Sequence, residues 1–188
     1  MTVAKIGSVG LGAARDFPRE KLDFYPTDAA LTYALMASEQ FHGDGIWEPA
    51  SGDGAMSRIL SREYPVTSTD LGSYGFGRGG VDFLKTKKLR RENIVTNPPF
   101  KIWTRFAKHA LSLKPEKLVL LGRLLMLEGW NRSKFFQESG LTRVWVMGRA
   151  KMLPPGAEDK GHSGMICFSW FVWQRGYSGA PTVHWKRP

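Results

Sequence analysis

Apolar positions along the chain fall into two rhythms. Leu31, Ala34, Leu35 and Ala37 recur at helical spacing. Pro26 discourages an earlier helix start and Thr27 is suited to be its N-cap, which predicts a helix running to about Phe41. After the turn His42–Gly45, Ile46-Trp47-Glu48 reads as a short buried strand. A tight Ser51–Gly54 loop, a helix over 55–62 and a second strand over 66–70 follow. Strand, helix and strand in that order imply a parallel sheet. Further strands are predicted at 93–96, 118–121 and 144–147, alternating with helices at 102–113 and 133–138. Met165–Trp173 is apolar almost throughout, as a strand buried on both faces would be, so Trp170, Phe171 and Trp173 read as core. Thr182–Trp185 is placed to pair back after the turn Gly176–Pro181.

Two segments break the rhythm. Residues 72–80 carry Gly72, Gly75, Gly77, Gly79 and Gly80 and read as a mobile surface loop; Lys151–Gly164 reads as a Pro/Gly-rich loop. Gly10–Ala14 has the look of a dinucleotide loop, but Pro18 would break the helix such a loop must open. Residues 1–20 read as a flexible N-terminal segment, and 21–188 as a single domain with no separate target-recognition domain.

Composition narrows the class. A chain of 188 residues, 42% hydrophobic, can bury a sizeable core, and it has no apolar run long enough to span a bilayer. Its one cysteine, Cys167, lies in an apolar segment and reads as a buried thiol; a reducing, cytoplasmic setting follows by default. The four histidines and single cysteine show no metal-ligand spacing, so no metal is expected. A net charge of +10 favours a polyanionic partner such as nucleic acid.

Four features carry chemistry. Glu48 and Ser51-Gly52-Asp53-Gly54 sit at a strand-to-helix turn, where glycines let a ligand approach the backbone closely. Asp70 ends the next strand, where an acid can accept from both hydroxyls of a ribose; taken alone, it reads better as a helix-capping or solvated aspartate. Asp82-Phe83 pairs an acceptor for an adenine amino group with a ring to pack on the base, or else is a surface acid beside a core ring. Asn97-Pro98-Pro99-Phe100 is the most specific. Two prolines fix two φ angles and remove two donors, leaving the Asn97 side-chain oxygen and the Pro98 carbonyl as a stiff pair of acceptors. Such a pair can hold both hydrogens of a planar amino group and free the nitrogen lone pair for attack, while Phe100 stacks on the substrate ring. Lys101 and Arg105 follow the motif, and Lys85, Lys87 and Arg90 belong to a basic run; these are candidates to grip phosphates, although the run also reads as a solvated face.

With these motifs in this order, residues 24–173 resemble the amino-methyltransferases of the class I S-adenosylmethionine-dependent fold. The likeness is greatest to small phage- and prophage-type adenine-N6 DNA methyltransferases. The resemblance implies a Rossmann-like α/β fold: a mostly parallel seven-stranded sheet with an antiparallel C-terminal strand and helices on both faces. It implies S-adenosyl-L-methionine as cofactor, held by Phe24, Tyr25, Pro26, Thr27, Glu48, Ser51 to Gly54, Asp70, Asp82 and Phe83, with Asn97 to Phe100 as the catalytic corner. Thr27, at a helix N-terminus, would help receive the methionine carboxylate. It also implies methyl transfer to adenine N6 in DNA with limited sequence specificity. Related enzymes with this motif act on RNA bases or on protein glutamine. A nucleic-acid-binding protein that keeps the fold without turnover is the rival from another class.

Overall fold

The computed structural model describes residues 26–149 and 166–188. Phe24 and Tyr25, the Gly10–Ala14 segment and the Lys151–Gly164 loop lie outside the described residues. Seven strands form one sheet in the order β2-β1-β3-β4-β6-β5-β7. They are β1 (Ile46–Glu48), β2 (Val66–Ser68), β3 (Asn93–Thr96), β4 (Lys117–Arg123), β5 (Leu141–Arg149), β6 (Cys167–Gln174) and β7 (Thr182–Trp185). β1 pairs in parallel with β2 on one side and β3 on the other, and β3 pairs in parallel with β4. The apolar strand β6 runs antiparallel between β4 and β5, and the short β7 lies parallel to β5 at the edge.

The period of two along β4 divides the core. Val119 and Leu121 pack with α1 (Ala29–Met36) and α2 (Ala55–Leu60) on one face of the sheet. Leu118 and Leu120 pack with α3 (Trp103–Ser112) and α4 (Trp130–Glu138) on the other. Both cores depend on β4, so truncating the wholly buried Leu120 to alanine should cost about 2–5 kcal/mol. Trp170 and Trp103 tie the layers together, donating from Nε1 to the carbonyls of Leu31 (3.0 Å) and Leu121 (2.7 Å).

Several local expectations need correction. Asp28, not Thr27, caps α1: its carboxylate accepts from the Ala30 amide at 2.9 Å, while the Thr27 hydroxyl is engaged by Asn97. The helix also stops at Met36 rather than near Phe41. Beyond it, Glu39 is drawn into the body of the protein by Lys117 (2.8 Å), Arg143 (2.6 Å) and Trp145 (2.9 Å). Burial pushes the Glu39 carboxyl up, but those hydrogen bonds outweigh it and hold the group below its ordinary value. Cys167 is half-buried rather than buried, since it begins β6 at the sheet rim. The glycine-rich loop is pinned: the amides of Asp70 and Arg78 bond across to the carbonyls of Arg78 and Ser68. A β-carbon on Gly77 would come within 2.7 Å of the Ser68 carbonyl, so glycine there serves close approach rather than looseness.

Candidate active site

The chain leaves β1 outward to β2, then crosses back to β3 on the other side of β1. Ligands of open α/β sheets bind in the crevice that opens at the strand C-termini at such a reversal. The loops after β1, β2 and β3 all emerge there, and they line a cavity of about 380 Å³. That volume falls within the ~300–1,000 Å³ range of small-molecule sites.

Nearly every candidate residue among the described ones borders this cavity. Pro26, Thr27, Glu48, Ser51, Gly52, Asp53, Asp70, Asp82 and Phe83 line it together with Asn97, Pro98, Pro99, Phe100, Lys101 and Arg105. Gly54 stands behind the wall with φ 85°, and a β-carbon there would fall 2.3–2.5 Å from the Phe76 ring. Phe76 in turn carries the Arg58 guanidinium 4.6 Å from its centroid, so the two glycine loops are stacked on each other.

Glu48 closes β1 and is only 2% exposed. Burial pushes its carboxyl up to about 8; Ser57 opposes this by donating from Oγ, while the nearby Asp70 and Asp53 charges add to it. Ser57 Oγ also lies 2.6 Å from Ser68 Oγ, linking α2 to β2. Asp70 accepts from the Gly52 amide through one oxygen and from the Gly72 amide through the other, each at 2.8 Å. It therefore clips the first glycine loop to the second while its carboxylate borders the cavity. Asp82 caps a short 3-10 turn, accepting from the Leu84 amide at 3.0 Å, and lies 3.3 Å from Lys85. Phe83 stacks on Phe106 (4.3 Å) and meets Trp47 edge-on (5.2 Å), so it serves the core as well as the cavity wall.

The acceptor corner follows β3 directly. Asn97 donates from Nδ2 to Thr27 Oγ1 at 3.2 Å, which accounts for the Thr27 hydroxyl no longer capping α1 and turns the amide oxygen to its other branch. With Asp28 already holding one amide at that helix N-terminus, the place expected for the methionine carboxylate is partly taken by the protein's own anion. Phe100 packs beside Phe168 (6.0 Å) and beneath Arg123, whose guanidinium carbon is 4.8 Å from the ring centroid.

The basic candidates separate. Lys101 and Arg105 border the cavity, exposed at its mouth. Lys85, Lys87 and Arg90 do not: the run leads to the opposite end of the sheet, where Arg91 and Glu92 bond Asp44 and Asn93 bonds Gly45. Sequence reasoning missed Leu71 and Tyr74, which border the cavity from the pinned loop, and Arg123 over Phe100. Only the strand end at Leu121 signalled Arg123; nothing local marked the other two.

The residues present suit S-adenosylmethionine. Ser51 Oγ is buried with no hydrogen-bond partner among the described residues, on a wall that also carries the Glu48 and Asp70 acids and apolar Met56 and Phe83. Such a lining matches a ligand with a cationic amino-acid end, a diol and a flat base.

No family model matches the sequence, and no curated protein matches it. Solved structures do share its fold. A candidate RNA methyltransferase of Pyrococcus horikoshii superposes with a TM-score of 0.62 at 15% identity, over 81% of this chain and 88% of that one. The 23S rRNA methyltransferase ErmE gives 0.56 at 13% identity, over 82% and 70%. A methyltransferase subunit of a type I restriction-modification system from Streptococcus thermophilus gives 0.55 at 10% identity, with this chain spanning 43% of its length. The fold is therefore that of the class I methyltransferases, with its mostly parallel seven-stranded sheet.

Proposed function

We propose that this chain transfers a methyl group from S-adenosylmethionine to an exocyclic amino group, foremost N6 of adenine in DNA. One observation carries the reading: the acceptor corner Asn97–Phe100 and the acidic glycine turn Glu48–Gly54 border the same cavity. The bound cofactor supplies an electrophilic methyl on a sulfonium. Glu48, Ser51 and Asp70 would hold it, the first toward its amino group and the last toward its ribose. The Asn97 oxygen and Pro98 carbonyl accept the two hydrogens of the substrate amino group and draw its lone pair out of conjugation. Phe100 fixes the plane of the base by stacking, a contribution of about 1–3 kcal/mol in comparable sites. Lys101 and Arg105 stand at the mouth, where a phosphate backbone would pass.

DNA is favoured by the Asn-Pro-Pro-Phe resemblance, and the restriction-modification neighbours agree with it. RNA is the second reading, favoured by the names of the Pyrococcus horikoshii protein and the 23S rRNA methyltransferase. Incubation with methyl-labelled cofactor and DNA, RNA or protein in turn, alongside Asn97→Ala, tests both. Label should enter DNA and vanish in the variant, and nucleoside digestion should find N6-methyladenine. Transfer undiminished in Asn97→Ala would refute the corner's role, and label confined to RNA would move the assignment to the second reading.

A further inference from the structure

The segment leaving β4 ends in an unusual surface. Leu125, Leu127 and Trp130 are all exposed, and the Trp130 ring is 88% open to solvent, the most exposed large apolar side chain among the described residues. A chain that buries Trp47, Trp103 and Trp170 completely leaves Trp130 standing in water; the other exposed tryptophan, Trp185, is 76% open and lies on the edge strand β7, away from this segment. Its place is the active-site rim: β4 runs parallel to β3 in the register Thr96↔Leu120, so Arg123 and the residues after it leave the sheet on the Asn97 side. Arg123 touches Phe100 itself.

The segment is also held rigid. Arg132 donates from Nε to the Met126 carbonyl (2.7 Å) and from a terminal nitrogen to that of Leu125 (3.2 Å), bracing the turn from the first turn of α4. Around it cations outnumber acids: Arg123, Arg132 and Lys134 stand on the segment against Glu128 and Glu138, the latter 3.8 Å from Lys134, and Lys101 and Arg105 border the cavity. A braced apolar prominence set among cations suits a partner with a charged outside and a stack of flat apolar rings inside.

We infer that Leu125, Leu127 and Trp130 form a wedge that enters the base stack of duplex DNA beside the extruded target base. This rests on the proposed function and adds to it the element that opens the duplex. A base in a duplex must leave the stack to reach the corner at Asn97, at a cost of a few kcal/mol, and an apolar ring filling the gap offsets that cost. Single-stranded DNA needs no such help.

The test compares native with heat-denatured DNA as methyl acceptor. Trp130→Ala should lower kcat/KM on native DNA roughly tenfold or more, the size of a lost base–aromatic stack. On denatured DNA it should fall far less, and Trp130→Phe should recover most of the native-DNA rate. Because Trp130 is so exposed, the variants should melt with the wild type. Independently of transfer, native DNA should quench the Trp130 share of the long-wavelength emission that it and Trp185 give, and Trp130→Phe should lack that quench whereas Trp185→Phe should keep it. Equal losses on both acceptors, or no loss and no quench, would overturn the wedge; the latter result would leave the segment to a protein partner. Quenching without transfer by the wild type to either DNA would overturn the proposed reaction while supporting the wedge.

Discussion

Replacing Glu48 with glutamine removes a group whose proton is held by burial, and with it a pH dependence of both stability and cofactor binding. The carboxyl is pushed from its ordinary value of 4.5 up to about 8 in the folded chain. Between those limits the folded protein binds more protons than the unfolded one, so this group's contribution is fully present below about 4.5 and is lost as pH rises through about 8. The slope is at most about 1.4 kcal/mol per pH unit, or roughly 3–5 °C in Tm for a domain of this size. Glu48→Gln, which cannot ionise, should lack that slope, and its advantage over the wild type should widen from pH 5 to pH 8. A ligand with an ammonium group beside Glu48 reverses the preference, because it favours the carboxylate. S-adenosylmethionine affinity should therefore climb by up to about tenfold per pH unit from 5.5 to 7.5, below the range where an α-amino group titrates (about 7.7–8.0). Calorimetry in two buffers of different ionisation enthalpy should register close to one proton released per cofactor bound at pH 7. Thermal unfolding and affinity profiles of wild type and variant that run parallel across this range would refute the argument.

Other consequences follow from the same geometry. Asn97→Ala should lower methyl transfer by roughly 100-fold or more while leaving cofactor affinity within about threefold, as separate rate and calorimetric measurements would show. Gly54→Ala places a side chain at φ 85° against Phe76 and should destabilise the fold by about 1–3 kcal/mol, read from urea unfolding; an unchanged midpoint would contradict the stacking of the two loops. Removing Lys101 and Arg105 together should flatten the dependence of DNA affinity on log salt by roughly 2, whereas removing Lys87 and Arg90 should leave it alone. Lys117→Met strands the buried Glu39 charge with fewer partners and should cost about 3–5 kcal/mol.

Much of this arrangement was readable from residue order. β6 was legible because a run from Cys167 to Trp173 without a polar face has only one home, the interior of a sheet. The acceptor corner was legible because two consecutive prolines lack the amides to continue a paired strand, and Ile94-Val95 before them are β-branched and apolar. What stayed hidden depended on neighbours distant in sequence. The contest between Thr27 and Asp28 for the helix cap was decided by Asn97, 70 residues away. The glycines after Asp70 suggested looseness, since a sequence cannot show Gly77 pressed against the Ser68 carbonyl. Lys101 and Arg105 were favoured over the basic run by their place directly after the motif; what stayed hidden is that the run starts with Lys85 beside Asp82 and leads away to Arg91 at Asp44. Trp130 went unmarked in the sequence because solvent exposure has no local signature.

The position of β6 also bears on how the chain reaches this state. Both of its hydrogen-bonded edges are occupied, by β4 and by β5, yet its residues are among the last of the sheet to leave the ribosome. Until they arrive, nothing in the sheet joins β4 to β5, and Leu31 lacks the indole that reaches it from Trp170 across 139 residues. Assembly of the sheet must therefore wait for a late, sequence-distant insertion, which points to slow folding. It also leaves the nascent chain with an uncovered β4 edge during synthesis.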